Sequence, residues 1–183
     1  MATDLNISLN WRMRMWNSFA RFAAGMIAKA ETREPDFVIF SAPGQPYLYR
    51  WWLIPRNPIF NLYLHKIAAS DPDRELHCHP WWNLSIILRG LYVERMPLDR
   101  KQPAELDDEC CVDRLRAPMD MVIRSGRDRH RLIVDGAPCW SLFITGPRYR
   151  TWGFHCRLGF VPWFRFVDEN DPGKVGRGCG EMS

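Results

Sequence analysis

The chain has little lysine, no long apolar run and no large excess of charge of one sign. Of its 25 basic residues, 21 are arginine and four are lysine, and they are scattered along 183 residues with a formal net charge of +4. A charge this small and this dispersed does not predict a nucleic-acid partner. No stretch of about 18 apolar residues occurs, so no membrane-spanning helix is predicted. The 46% hydrophobic content is that of a globular protein.

Cysteine pairs with the spacing of zinc ligands are also missing. None of the six cysteines forms a CxxC pair, which excludes the common thiolate zinc sites. The first apolar stretch is interrupted by Arg12, Arg14 and Arg21, which a secretory signal would not tolerate. We therefore predict a cytoplasmic protein with reduced thiols at Cys78, Cys110, Cys111, Cys139, Cys156 and Cys179.

An amphipathic helix is predicted near the N-terminus. Apolar residues recur there at intervals of three and four, which is one helical face: Trp11, Met15, Phe19, Phe22 and Met26. The opposite side is basic, so two roles stay open, packing on the rest of the chain or contact with a membrane surface or targeting machinery. The apolar face could also pair two copies, which leaves a homodimer open. We assign residues 1–34 to this helical extension.

From residue 35 the pattern changes to short β-rich segments separated by Pro, Gly and Asp. Such a pattern predicts an all-β domain of jelly-roll type over residues 35–167. Strands are predicted at 37–40, 47–54, 59–67, 84–88, 91–96, 120–124, 131–134, 140–145 and 160–167. The polar stretch 97–113 is predicted to be a long loop or an irregular hairpin. The glycine-rich tail 168–183 is predicted to be flexible.

Three histidines form the strongest chemical signal. Alternate side chains of a strand share one face, so His77 and His79 are expected to project together while Cys78 turns away. His130 would have to join them from another strand. Two or three neutral imidazoles at such a spacing can hold one divalent cation.

The segment 75–90 resembles the first motif of the cupin superfamily, His-x-His followed by a Glu and then a Gly. Asn83 stands at the Glu position, Gly90 at the Gly position, and Asp71 where an opening Gly is usual. Residues 126–134, with His130, loosely resemble the second motif. The resemblance implies a cupin double-stranded β-helix in which His77, His79 and His130 are the metal ligands. Several aromatic runs, at 51–56, 79–83, 142–148 and 152–156, are similar to small cupins encoded by bacteriophages and prophages.

A site of three histidines resembles that of the thiol dioxygenases, a cupin branch that uses iron. The resemblance implies Fe(II) as the favoured ion, with Zn, Mn or Ni left open, and a dioxygenase-like reaction on a small anionic molecule. With no carboxylate ligand, the charge of the ion would be uncompensated. Glu75 and Asp128 alternate with the histidines, so either could be a further ligand.

Candidate substrate-binding residues lie near this motif. Arg50 and Arg56 precede it and could anchor a substrate anion, while Trp81 and Asn83 follow directly on the metal strand and could line the pocket. His155 is the candidate general acid–base, and Tyr149 could supply a phenol.

Two other functions remain open on the sequence. One is a non-catalytic cupin that binds a ligand in its barrel. The other is a metal-dependent isomerase or epimerase acting on a sugar phosphate, which would need a base such as His155 and the arginines around His130.

Overall fold

The structure is a computed structural model that describes residues 2–42, 45–71, 75–99, 110–171 and 176–180. The chain divides into two compact units, Met1–Glu34 and Pro35–Ser183. The first unit contains helix α1, Ala2–Glu31, which begins earlier than the predicted 11–30. Along it the side chains of Trp11, Met15 and Phe22 are exposed. Within the described residues no helix has the length and apolar character needed to cross a membrane.

The second unit is built from strands, as the alternating pattern predicts. In the described part these are β1 Phe37–Ala42, β2 Gln45–Trp52, β3 Asn61–Ile67, β4 Leu76–His77, β5 Asn83–Arg89, β6 Tyr92–Pro97, β7 Cys111–Arg116, β8 Met121–Arg124, β9 Arg131–Ile133, β10 Cys139–Thr145, β11 Gly153–Cys156 and β12 Gly159–Pro162. A one-turn helix, α2 Trp163–Phe166, follows β12.

The strands form antiparallel layers. One layer has six strands in the order β1-β2-β3-β10-β5-β8. Two three-stranded sheets, β12-β11-β4 and β7-β6-β9, are joined by one antiparallel bridge between His77 and His130. The two residues exchange both backbone hydrogen bonds, at 2.9 and 3.0 Å. The all-β jelly-roll fold with an added N-terminal helix is thereby confirmed.

Glycine is required at the turn between β5 and β6. Gly90 has φ +78°, a left-handed conformation that residues with a Cβ rarely adopt. A Cβ at this position would also meet the carbonyl oxygen of Pro138 at 2.5 Å. The conformation and the lack of space for a Cβ therefore explain why this position of the first sequence motif is a glycine.

One secondary-structure prediction was wrong in part, and another is narrowed to one of its alternatives. Of the loop or irregular hairpin predicted at 97–113, the described ends fit the hairpin, because β6 and β7 pair antiparallel with Pro97 opposite Cys111; residues 100–109 lie outside the described residues. The sequence does not predict a strand at β7, because Asp113, Arg114 and Leu115 are all exposed and no apolar alternation marks them. Backbone pairing with β6 holds this strand in place. The predicted strand 160–167 is β12 followed by α2.

The prediction that all six cysteines are reduced was wrong for one pair. Cys156 and Cys179 form a disulfide with their Cα atoms 5.6 Å apart. The disulfide ties the tail to β11, and the N–H groups of Gly176 and Gly178 donate to the carbonyl of Phe166 in α2. The described part of the tail predicted to be flexible, 168–171 and 176–180, is thus bonded to the domain. The remaining residues of the tail lie outside the described residues.

Candidate metal centre

The three imidazoles expected to meet do so. His77 ends β4, His79 follows two residues later, and His130 directly precedes β9. One ligand nitrogen from each lies within 4.8 Å of the others, and the ring centroids are 4.7 to 5.1 Å apart. Cys78 turns away as predicted and is fully buried, with its Sγ 3.5 Å from the carbonyl oxygen of Gly153.

The geometry of the imidazoles fits a divalent ion. The Nε2 atoms of His79 and His130 are 2.9 Å apart. Two nitrogens that share one ion at right angles, with bonds of about 2.1 Å, lie about 3 Å apart. Burial lowers the pKa of His77 and His79, and it lowers that of His130 to about 3. All three rings are therefore neutral near pH 7, as metal binding requires.

Two buried carboxylates contact the other side of these rings. The Nδ1 of His130 lies 3.0 Å from Oε1 of Glu94, and the Nδ1 of His77 lies 3.6 Å from Oδ2 of Asp71. Such outer carboxylates fix the tautomer and the orientation of a ligating histidine. The expectation that the charge of the ion would be uncompensated was therefore incomplete. Two carboxylates lie next to the ligand histidines without being part of the ligand cluster.

Glu94 is the centre of a buried ionic network. It is fully buried and accepts hydrogen bonds from Nε of Arg124 at 2.6 Å and from Nε of Arg116 at 2.8 Å. Burial alone would raise its pKa, but the hydrogen bond from His130 and the charge of Arg124 outweigh burial and lower the pKa. Glu94 is thus ionised, and His130 donates to it through Nδ1.

Asn83 lies beneath the site rather than in the ligand cluster. It is fully buried on β5, and its Oδ1 is 3.3 Å from Nη1 of Arg124. Among the described residues the cluster contains three histidines and no carboxylate, so neither Glu75 nor Asp128 belongs to it. Asp128 instead accepts the backbone N–H of Ser125 at 2.8 Å and closes a turn.

The histidines line a cavity of about 420 Å³ that is bounded by both β layers. Three of the predicted substrate-binding residues, Arg50, Arg56 and Trp81, also line it, whereas Asn83 does not. Arg56 lies over the ring of Trp52, at 5.4 Å from its centroid. The cavity thus brings together the predicted metal ligands and most of the predicted substrate contacts.

The two predicted catalytic residues are not among those lining the cavity. On β11, Phe154 lines the cavity and contacts His77, so the alternate residue His155 points to the other face, against Phe160. Burial lowers the pKa of His155 to about 4. The hydroxyl of Tyr149 accepts the backbone N–H of Gly126 at 2.6 Å.

The sequence did not predict Asp71 as a partner of His77 or Glu94 as a partner of His130. One signal for Glu94 was available, since Tyr92 and Glu94 alternate along β6 and place an acid on the inward face. Arg124 is one of the arginines near His130 in the sequence, but its pairing with Glu94 was not predicted. His65, to which no role was assigned, is buried, and its Nε2 accepts a hydrogen bond from Arg50.

No protein-family model and no curated protein matches the chain. Solved structures do match. DMSP lyase DddQ from Ruegeria pomeroyi is 18% identical over 60% of this chain and 52% of its own, with a TM-score of 0.42. A cupin superfamily protein from Desulfitobacterium hafniense is 15% identical over 55% and 77%, with a TM-score of 0.39. A putative mannose-6-phosphate isomerase from Ralstonia eutropha is 16% identical over 61% and 93%, with a TM-score of 0.43.

The chain spans about half the length of the lyase, and at these identities the similarity concerns the fold alone. Two antiparallel layers enclose the cavity, and the three histidines stand at the bridge that joins the two sheets of one layer. The described residues thus form a two-layered, all-β jelly roll with an added N-terminal helix.

Proposed function

We propose that this chain is a metal-dependent oxygenase that uses ferrous iron to oxidise a small anionic molecule. The observation that carries the proposal is the meeting of three neutral imidazoles in one cavity, with no carboxylate in their cluster among the described residues. Imidazole binds zinc, copper, iron and nickel, and ferrous iron with open coordination positions is the ion of the non-haem oxygenases. Zinc, manganese and nickel are the competing ions.

A bound ferrous ion would supply open coordination positions for a substrate and for dioxygen. The chain supplies the rest. His77, His79 and His130 hold the ion, while Glu94 keeps the ring of His130 oriented and Asp71 places a carboxylate beside the ring of His77. The walls of the cavity are largely aromatic, and an apolar surrounding strengthens the attraction between charged groups inside.

Arg50 is the residue that we assign to the substrate anion, with Arg56 as a second cation on the same cavity. His155 and Tyr149 stay predictions as catalytic residues, and the proposal gives them no direct contact with the substrate. The relation to phage cupins, the cytoplasmic location and the homodimer also stay predictions.

The test begins with the metal content of the purified protein. We expect about one ion per chain, a loss of that ion in His130→Ala, and its retention in His155→Ala, a matched histidine outside the cluster. The protein is then loaded anaerobically with ferrous iron and assayed for oxygen uptake with a panel of thiols and small acids. Tightly held zinc with no oxygen uptake across the panel would contradict the proposal.

A non-catalytic binding protein is the second candidate, because Arg50 and the cavity walls could hold an anion without any metal. Thermal shift assays on the His77→Ala/His79→Ala double variant separate the two functions. A ligand that stabilises this variant as much as the native protein, and that the iron-loaded protein does not consume, would favour binding alone.

A further inference from the structure

The cavity contains a cation whose described contacts are all neutral. The Nε of Arg50 donates to Nε2 of His65 at 2.8 Å, and its guanidinium carbon lies 4.9 Å from the ring centroid of Tyr63 and 6.0 Å from that of Phe37. No carboxylate among the described residues pairs with it. Burial lowers the pKa of Arg50, which means that the charged form has lost hydration. A desolvated cation without a counter-charge is costly, and an anion in the cavity would relieve that cost.

His65 determines which part of Arg50 remains available. It is buried on β3, stacked between Tyr63 at 5.9 Å and Phe143 at 4.7 Å. Because its Nε2 accepts a hydrogen bond, the ring is neutral; burial and the charge of Arg50 lower its pKa well below the usual value. With Nε occupied, Arg50 presents the edge formed by its two terminal nitrogens. That edge matches the two oxygens of a carboxylate.

The remaining wall is mainly aromatic. Phe143 lies between the two polar regions of the cavity, 4.7 Å from the ring of His65 and 6.2 Å from that of His79. Other rings that line the cavity are Phe40, Tyr47, Trp52, Trp81, Trp152 and Phe154. Ring walls favour a planar ring as ligand, through offset and edge-to-face contacts. The volume of about 420 Å³ is that of a site for a ring-sized or larger ligand, well beyond a three-carbon acid.

We propose that the substrate is an aromatic carboxylate, with its carboxylate on the free edge of Arg50 and its ring among the aromatic side chains. His65 is a positioning residue that holds Arg50 through Nε. That the aromatic acid is a substrate rests on the proposed function. Its binding does not depend on a metal.

The first experiment is calorimetric titration of the metal-free full chain. The probes are benzoate, 3-phenylpropionate and indole-3-acetate, each paired with its neutral amide, and propionate as the acid without a ring. We expect at least one aromatic acid to bind about tenfold or more tightly than its amide, and propionate not to bind. Failure of all three aromatic acids to bind, or binding of acid and amide alike, would overturn the inference.

Variants assign the roles. Arg50→Gln should abolish the preference for acid over amide while leaving some affinity for the ring. His65→Gln, which keeps an acceptor for Arg50, should retain the preference, whereas His65→Leu should lose most of it. Arg114→Gln, an exposed arginine of β7 away from this cavity, is the matched control and should change nothing.

The acid-to-amide ratio is used because a general loss of folding lowers both affinities together. Near-ultraviolet circular dichroism identifies any variant that has not folded, and Arg50→Lys, which keeps the charge without the planar edge, then replaces Arg50→Gln. A His65→Leu protein with the native ratio would overturn the positioning role.

Two further outcomes separate this inference from the proposed function. If an aromatic acid binds but the iron-loaded protein takes up no oxygen with it or with any other compound tested, the oxygenase proposal fails and the aromatic-acid site stands. If oxygen is consumed with a thiol or short acid while no aromatic acid binds, the oxygenase proposal stands and the inference is overturned.

Discussion

Replacing Glu94 by glutamine should weaken both the fold and the metal site. The carboxylate is fully buried, and it compensates the charge of Arg124, whose side chain is 4% exposed. The amide keeps nearly the same shape but carries no charge, so Arg124 would be left with the neutral partners Asn83, Ser85 and Tyr92.

Removing one partner of a buried ion pair typically costs about 3–5 kcal/mol, mainly because the other charge remains buried. Glutamine still offers one carbonyl oxygen, and Arg116 is partly exposed, so we expect a loss near the lower end, about 3 kcal/mol. His130 would also lose its charged acceptor. Loss of such an outer contact usually lowers metal affinity by about 10- to 100-fold.

The assay is chemical denaturation of the metal-free protein, so that metal binding does not contribute to the free energy of unfolding. The matched control is Asp113→Asn on the neighbouring strand of the same sheet. Asp113 pairs with Arg95 through two contacts of 2.8 Å, but its side chain is 43% exposed, so about 0–1 kcal/mol is expected. If the Glu94→Gln protein unfolds within about 1 kcal/mol of this control and binds metal as the native protein does, the buried network does not have the role assigned to it.

Three other predictions concern separate features. Because His65 stays neutral when folded but binds a proton below pH 6.5 when unfolded, stability should fall as the pH drops below 6.5, and His65→Gln should reduce that fall by up to about 1.4 kcal/mol per pH unit in denaturation curves at several pH values. Cys179→Ser opens the disulfide to Cys156 and should cost about 3 kcal/mol, while reduction of the native protein should lower its melting temperature to that of the variant. Gly90→Ala should cost more than Gly136→Ala in thermal unfolding, since both glycines have positive φ but only Gly90 has backbone atoms where a Cβ would stand; equal costs would contradict the steric argument.

The histidine cluster could be predicted from the sequence because most of it is local. His77 and His79 alternate on one extended segment, and only His130 had to be brought in from another strand. The resemblance to the cupin motifs supplied that third position. The layers of strands were equally accessible, since their alternation reflects which face is buried.

The outer carboxylates could not be predicted with the same rules. Glu94 reaches His130 across 36 residues, on a strand pair whose register depends on the whole sheet. An acid at an inward position looks unfavourable until Arg116 and Arg124 are seen around it. The disulfide posed the same problem, because 23 residues separate Cys156 from Cys179 and only the path of the tail brings them together.

The roles of His155 and His65 depended on which face of a strand is the inner one. Phe154 directly precedes His155, and Leu64 directly precedes His65. In each pair the sequence pattern alone does not say which of the two neighbours points inward. The pairing of β11 with β4 and of β3 with β2 determines this, and pairing is not visible in one sequence.

The bridge between His77 and His130 has a consequence for how the molecule moves. It is the described hydrogen-bonded connection between the two three-stranded sheets, and both of its residues are candidate metal ligands. An ion bound to their side chains would cross-link the two sheets at the point where their backbones already meet. Hydrogen exchange at the amides of His77 and His130 should therefore slow when metal is added, and strands away from this point, such as β1, should exchange at an unchanged rate.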